Sequence, residues 1–255
     1  MEVFYSIAGL FVGFIVGLTG IGGGALMTPI LILGFGIPPV MAVSTDLLYA
    51  SITKCGGMVS YARKKLVDWR VVLLLLAGSV PGSLLALRFM SGLGEHASME
   101  HLINLTLGFS LVLTSIAVFF RSRITALTAN RKRISGTPLA IITMLAGLFL
   151  GVMVTLSSVG AGALGTALLI VFYPRMSMAS IVGTDLVHAV VLTGVAAAGH
   201  YQMDNINLEL LKFLLLGGIP GVLAGSYLGT RLSSSMMQPV MGILLLLIGL
   251  RFMAA

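Results

Sequence analysis

The chain has 255 residues, of which 58% are hydrophobic and only 9% charged, with a net charge of +7. A soluble domain carries about 25% charged residues, so this composition excludes a water-soluble globular protein. Apolar runs that are continuous rather than alternating also exclude a membrane β-barrel and leave an all-α polytopic membrane protein.

Ten apolar segments follow in chain order: 4–19, 22–36, 41–62, 70–90, 101–120, 137–156, 160–173, 178–200, 209–230 and 236–253. No basic residue precedes the first, and no small-residue cleavage site follows it, so it reads as a helix rather than a removed leader. Segments 22–36 and 160–173 fall short of the roughly 20 residues that span a bilayer core, and are expected as half-helices or tilted pieces. Nine of the fifteen basic residues fall in two loops: Arg63, Lys64, Lys65 and Arg70, then Arg121, Arg123, Arg131, Lys132 and Arg133. Basic residues beside apolar spans determine topology and argue against nucleic acid as a partner. These loops are expected in the cytoplasm. Loops 91–100 and 201–208, which carry Glu95, Glu100 and Asp204 but no Lys or Arg, are expected outside. Cys55 is the sole cysteine and can form no internal disulfide.

The two halves match each other. "GGGALMTPIL" at 22–31 aligns with "GAGALGTALL" at 160–169, "VSTDLLYA" at 43–50 with "VGTDLVHA" at 182–189, and "GSVPGSL" at 78–84 with "GGIPGVL" at 217–223. The offset is 138 residues in the first block and 139 in the other two. The expected organisation is a first repeat at 1–120, a basic cytoplasmic linker at 121–136 and a second repeat at 137–255, within one membrane domain. Five crossings per repeat invert one copy relative to the other, place both termini outside and satisfy all four loop assignments. Inverted repeats are a transporter architecture with the substrate at the midplane.

Gly17, Gly20, Gly22, Gly23 and Gly24 crowd the junction of the first two segments, and "SSVGAG" at 157–162 is the second-half counterpart. Glycine permits positive φ and close backbone approach. Unwound backbone at membrane depth is tolerated where it is buried or lines a cavity. Helix N-termini near 22 and 160 would then aim free N–H groups at a shared anion site. Close helix packing through small residues is the competing reading.

"GLTGIGGGALMTPILI", "VSTDLLYASITKCGGMVSYARKKLVDWR" and "LLAGSVPGSLLA", with their second-half echoes, resemble the sulfite exporter TauE/SafE family of membrane permeases. The resemblance implies export of sulfite, sulfoacetate or a related organosulfonate across the cell membrane, inner or plasma. It maps the glycine-rich turns onto Gly20–Gly24 and Ser158–Gly162, the Thr-Asp motif onto Thr45–Asp46 and Thr184–Asp185, and the Pro-Gly motif onto Pro81–Gly82 and Pro220–Gly221. Ser158 and Ala161 replace glycines of the first turn, so the two entrances are not equivalent.

The candidate substrate-binding residues are Thr19, Gly22, Gly23, Gly24, Thr28, Lys54, Ser157, Ser158, Gly160, Gly162 and Thr166. Hydroxyls can donate to sulfonate oxygens, although in spans they also bond their own helix. A mid-span lysine is costly and tends to line a pathway, while snorkelling to the basic loop is its alternative. Thr45, Asp46, Thr184, Asp185 and His188 form a second set. For the two aspartates, proton coupling and capping of a helix N-terminus both stand open. For His188, a proton relay competes with a hydrogen-bonded packing role. Arg88, near a span end, reads as snorkelling.

The fifteen methionines are scattered and read as apolar filler. No residue set has zinc spacing, no nucleotide motif is present, and no cofactor is expected. The partners implied are the lipid bilayer and a small anionic substrate, with proton coupling one alternative and export without any coupling ion the other; oligomeric state is not readable. The expected function is a secondary transporter working by alternating access. An anion channel on the same site and, more remotely, an intramembrane enzyme are the alternatives.

Overall fold

The computed structural model describes residues 2–19, 24–92, 96–128, 136–229 and 234–254. Eleven helices and no strand occur among them: α1 (Glu2–Thr19), α2 (Gly24–Phe35), α3 (Pro39–Arg63), α4 (Trp69–Gly92), α5 (His96–Phe119), α6 (Arg121–Thr128), α7 (Thr137–Ser157), α8 (Ala163–Phe172), α9 (Met178–Gln202), α10 (Leu208–Gly229) and α11 (Ser234–Met253). The fold is all-α and polytopic, as the composition requires. By length and composition five helices can cross a membrane: α4, most of α5, α7, α9 and α10. Helix α3 is as long and carries Asp46 and Lys54 in its interior.

The short segments are short helices. α2 has 12 residues and α8 has 10, about 18 and 15 Å at 1.5 Å per residue, against a hydrocarbon core of about 30 Å. Ten apolar segments become eleven helices because α6 occupies the first half of the expected linker. Its eight residues are too few to register as an apolar run. Its Ile124 packs on Val71, Leu75, Leu169, Ile170 and Ile181. Arg131, Lys132, Arg133 and Glu95 lie outside the described residues.

α3 and α9 pack on each other at the centre. α1 lies along α10, α4 along α7, and α5 along α11. The first helix of each half therefore packs on the fourth helix of the other. Glycines set the closeness of these contacts. A Cβ on Gly13 would strike the backbone of Gly218, and one on Gly151 would strike the backbone of Ser79. Helices in lipid gain little from burying apolar surface against each other and associate through such close backbone packing.

Where the chain breaks between α7 and α8, the backbone leaves helical geometry. Ser158 is left-handed at φ 57°, and its N–H still donates to the Val154 carbonyl at 2.8 Å, closing α7. Gly160 follows at φ 109°, a conformation a side chain would oppose. The Gly160 carbonyl then accepts from the N–H of Gly162 at 2.8 Å and of Gly165 at 3.3 Å, which starts α8.

Candidate functional site

Each short helix presents a threonine to an aspartate on the following long helix. Thr28 Oγ1 on α2 donates to Asp46 Oδ2 on α3 at 2.6 Å. Thr166 Oγ1 on α8 donates to Asp185 Oδ2 on α9 at 2.9 Å. All four residues are buried. Asp46 and Asp185 are the eighth residues of α3 and α9, two turns inside, so neither sits at the N-terminus of its own helix. Instead, each carboxyl group lies against the early turns of the short helix, where the helix dipole favours negative charge. Asp185 Oδ1 sits against the Cα of Gly165, which leaves no room there for a side chain.

Lys54 is buried, and its ammonium donates to the Ala161 carbonyl in the α7–α8 break at 2.7 Å. It lies within electrostatic range of both Asp46 and Asp185. A cavity of about 20 Å³ is lined by Lys54, Ala161, Gly162, Thr166 and Asp185, together with apolar side chains of α9. That volume holds about one water molecule, so an oxyanion could enter only after the site opens. Arg121, half-buried at the start of α6, is drawn down from its ordinary pKa by burial, against the opposing pull of Asp185.

The residues read from sequence thus fall into separate groups. Lys54, Gly162, Thr166 and Asp185 share the cavity. Thr28, Asp46 and Ser158 gather beside it, with Ser158 next to the Asp46 carboxyl group. Ser157 is occupied locally: its Oγ donates to the Met153 carbonyl at 2.6 Å and accepts from Val159 N–H at 3.2 Å. Gly160 shapes the break. Gly22 and Gly23 lie outside the described residues, and of Thr19 and Gly24 only the backbone, at the end of α1 and the start of α2, is described. His188 pairs through Nε2 with Ser79 Oγ at 2.9 Å and does not line the cavity.

Thr45 and Thr184 point elsewhere. Thr45 Oγ1 accepts from Asn207 N–H at 3.2 Å, and Thr184 Oγ1 accepts from Asp68 N–H at 3.0 Å. Asn207 and Asp68 cap α10 and α4 by accepting from Leu210 N–H at 2.9 Å and Val71 N–H at 3.2 Å. Each half's threonine thereby holds the cap of the other half's fourth helix. Sequence reasoning missed both caps, although Asp68 and Asn207 share the 139-residue offset and directly precede apolar segments. It also missed His200, buried with Nδ1 at 2.8 Å from Ser44 Oγ and Nε2 donating to the Thr155 carbonyl at 3.0 Å.

A family model, described as "Sulfite exporter TauE/SafE", matches residues 5–252. The chain belongs to the sulfite exporter TauE/SafE family. A probable membrane transporter protein, YjnA, of Bacillus subtilis (strain 168) is 39% identical over 98% of this chain and 99% of its own length. A probable membrane transporter protein of Xylella fastidiosa (strain Temecula1) is 28% identical over 95% of this chain and 91% of its own. No solved structure matches the chain. This TauE/SafE protein is therefore a multi-pass membrane transporter and not an enzyme.

Proposed function

We propose that this TauE/SafE protein exports a small sulfur oxyanion, sulfite or an organosulfonate such as sulfoacetate, across the cell membrane. Alternating access of two inverted repeats moves the anion, and the Lys54 cavity binds it. The observation that carries this reading is the buried Lys54 ammonium, held by a backbone carbonyl of the helix break rather than by a contact ion pair. An oxyanion that displaces the Ala161 carbonyl gains a charge-assisted bond, and Thr166 can turn its hydroxyl to a second oxygen.

Charge counting assigns the proton. Asp46, Asp185 and Lys54 sum to −1 when all are ionised, and opposite or like charges interact strongly where water is scarce. An anion added to that set would be expelled. A proton on Asp185, the carboxyl group lining the cavity, brings the set to zero and removes the carboxylate that faces the anion beside Lys54. Arg121 extends positive potential from the linker toward the same cavity. The inside-negative potential then drives the anion outward by about 2.3 kcal/mol per charge per 100 mV.

The cavity supports a carrier over a channel, because a site with room for about one water has to open and close around its cargo. Thermal unfolding of the purified protein against sulfite, thiosulfate, sulfoacetate, taurine and simple carboxylates tests the substrate class. Saturable protection by the sulfur oxyanions alone is the expected result. Equal protection by carboxylates, or none by any sulfur oxyanion, would overturn the assignment.

A further inference from the structure

His200 is 0% exposed and takes no part in the anion cavity. Both of its ring nitrogens face oxygens that can accept. Nε2 lies 3.0 Å from the Thr155 carbonyl, which requires a proton on Nε2. Nδ1 lies 2.8 Å from Ser44 Oγ. That hydroxyl also lies 2.6 Å from the Val40 carbonyl, to which it can give its one proton. Two arrangements therefore keep the ring fully bonded. In one, the Ser44 hydroxyl turns to Nδ1 and the ring is neutral. In the other, Ser44 donates to Val40, a second ring proton sits on Nδ1, and Nδ1 donates to Ser44 Oγ.

A buried imidazolium is costly unless its N–H groups are bonded and negative potential surrounds it. Two helix ends supply that potential. His200 lies in the last turn of α9. Thr155 lies in the last turn of α7, so its carbonyl is among the four left without a partner inside the helix. A helix C-terminus carries about half a negative charge and favours a cation. No side-chain counter-ion competes for this role. Of the helices packed on α9, α7 and α8 hold no ionisable residue. α4 brings Arg88, which is exposed. α3 brings Asp46 and Lys54, bonded to Thr28 and to the Ala161 carbonyl. On α9 itself, Asp185 and His188 lie twelve or more residues earlier, about 18 Å or more along the helix. Tyr201 and Asp204, just beyond His200, are exposed.

We propose that His200 is a proton-binding residue of this transporter, and that its imidazolium clamps α9 to Ser44 on α3 and to the end of α7. Thr155 is held in turn on α4, where its hydroxyl donates to Ser83 Oγ at 2.7 Å. The clamp closes three residues before the left-handed Ser158 that opens the α7–α8 break. A bound proton thereby steadies the break whose Ala161 carbonyl occupies Lys54. Only this last step, from the clamp to the cavity, rests on the anion reading.

Nitrogen-15 NMR of the purified full-length protein, labelled at His96, His101, His188 and His200, reads the ring protons directly. The His200 signals are those lost in His200→Gln, whose amide can donate and accept but takes no charge. The expected result is a proton on Nε2 alone at alkaline pH. Both nitrogens should be protonated once the pH is lowered through the range in which histidine titrates. Ser44→Ala removes the acceptor of the second proton. A bond from an ionised donor is about twice as strong as a neutral one, so the midpoint should move to lower pH by about one unit. A ring that stays neutral down to acid unfolding, or a midpoint that Ser44→Ala leaves in place, overturns the proposal. Deuterium exchange of the amides at 154–162 reads the clamp. Below the midpoint they should exchange more slowly in the wild type than in His200→Gln at the same pH, and equal rates overturn it. The anion reading fails separately, because none of these readouts uses an anion.

Discussion

At Lys54 a buried ammonium group has one carbonyl at 2.7 Å and two carboxyl groups within electrostatic range. Removing it by Lys54→Ala takes away the only buried cation of the site among the described residues, and the anion loses its countercharge. Anion affinity should fall at least about tenfold, the 1.4 kcal/mol or more that one charge-assisted bond supplies, as read by equilibrium binding. Unchanged affinity would remove Lys54 from the pathway. Asp185→Asn mimics the protonated carboxyl group, so anion binding should persist and lose the tightening that acid brings to the wild type. Thr28, which does not line the cavity, answers to stability instead. Thr28→Val leaves Asp46 Oδ2 without its donor and should destabilise the protein by about 1–3 kcal/mol, measured as a lower unfolding temperature in detergent.

Elements carry the second layer of the account. The paired caps, Thr45 with Asn207 and Thr184 with Asp68, join each half to the fourth helix of the other. Thr184→Val should cost about 1 kcal/mol for one lost bond and change transport rate more than anion affinity. A change confined to affinity would contradict that role. The glycine contacts behave differently. Gly151→Val drives a side chain into the backbone of Ser79, so α7 and α4 separate and the folded yield collapses with the binding. Much of this layer was legible in the residues. Hydropathy placed ten of the eleven helices within a few residues, and the repeats "VSTDLLYA" and "VGTDLVHA" marked Asp46 and Asp185. Hydropathy could not mark α6, a polar helix in which Ile124 docks on the cluster of Val71, Leu75, Leu169, Ile170 and Ile181. Nor could pattern reveal that Thr28 reaches Asp46 or that Lys54 reaches Ala161. Those partners lie 18 and 107 residues apart, and their meeting depends on how α2 and the α7–α8 break fold back onto α3.

The whole molecule is two halves that exchange contacts: α1 lies on α10 and α7 on α4, while α3 and α9 meet at the centre. In the proposed cycle the halves rock about α3 and α9 and carry a cavity that now holds about one water. The central claim is that Lys54 binds a sulfur oxyanion there and that the membrane potential drives it out. Sulfite efflux from proteoliposomes clamped at a series of inside-negative potentials measures this directly. The account predicts saturable efflux that accelerates as the interior becomes more negative and is lost in folded Lys54→Ala protein. Efflux in Lys54→Ala equal to that of the wild type, or efflux indifferent to potential, would contradict it.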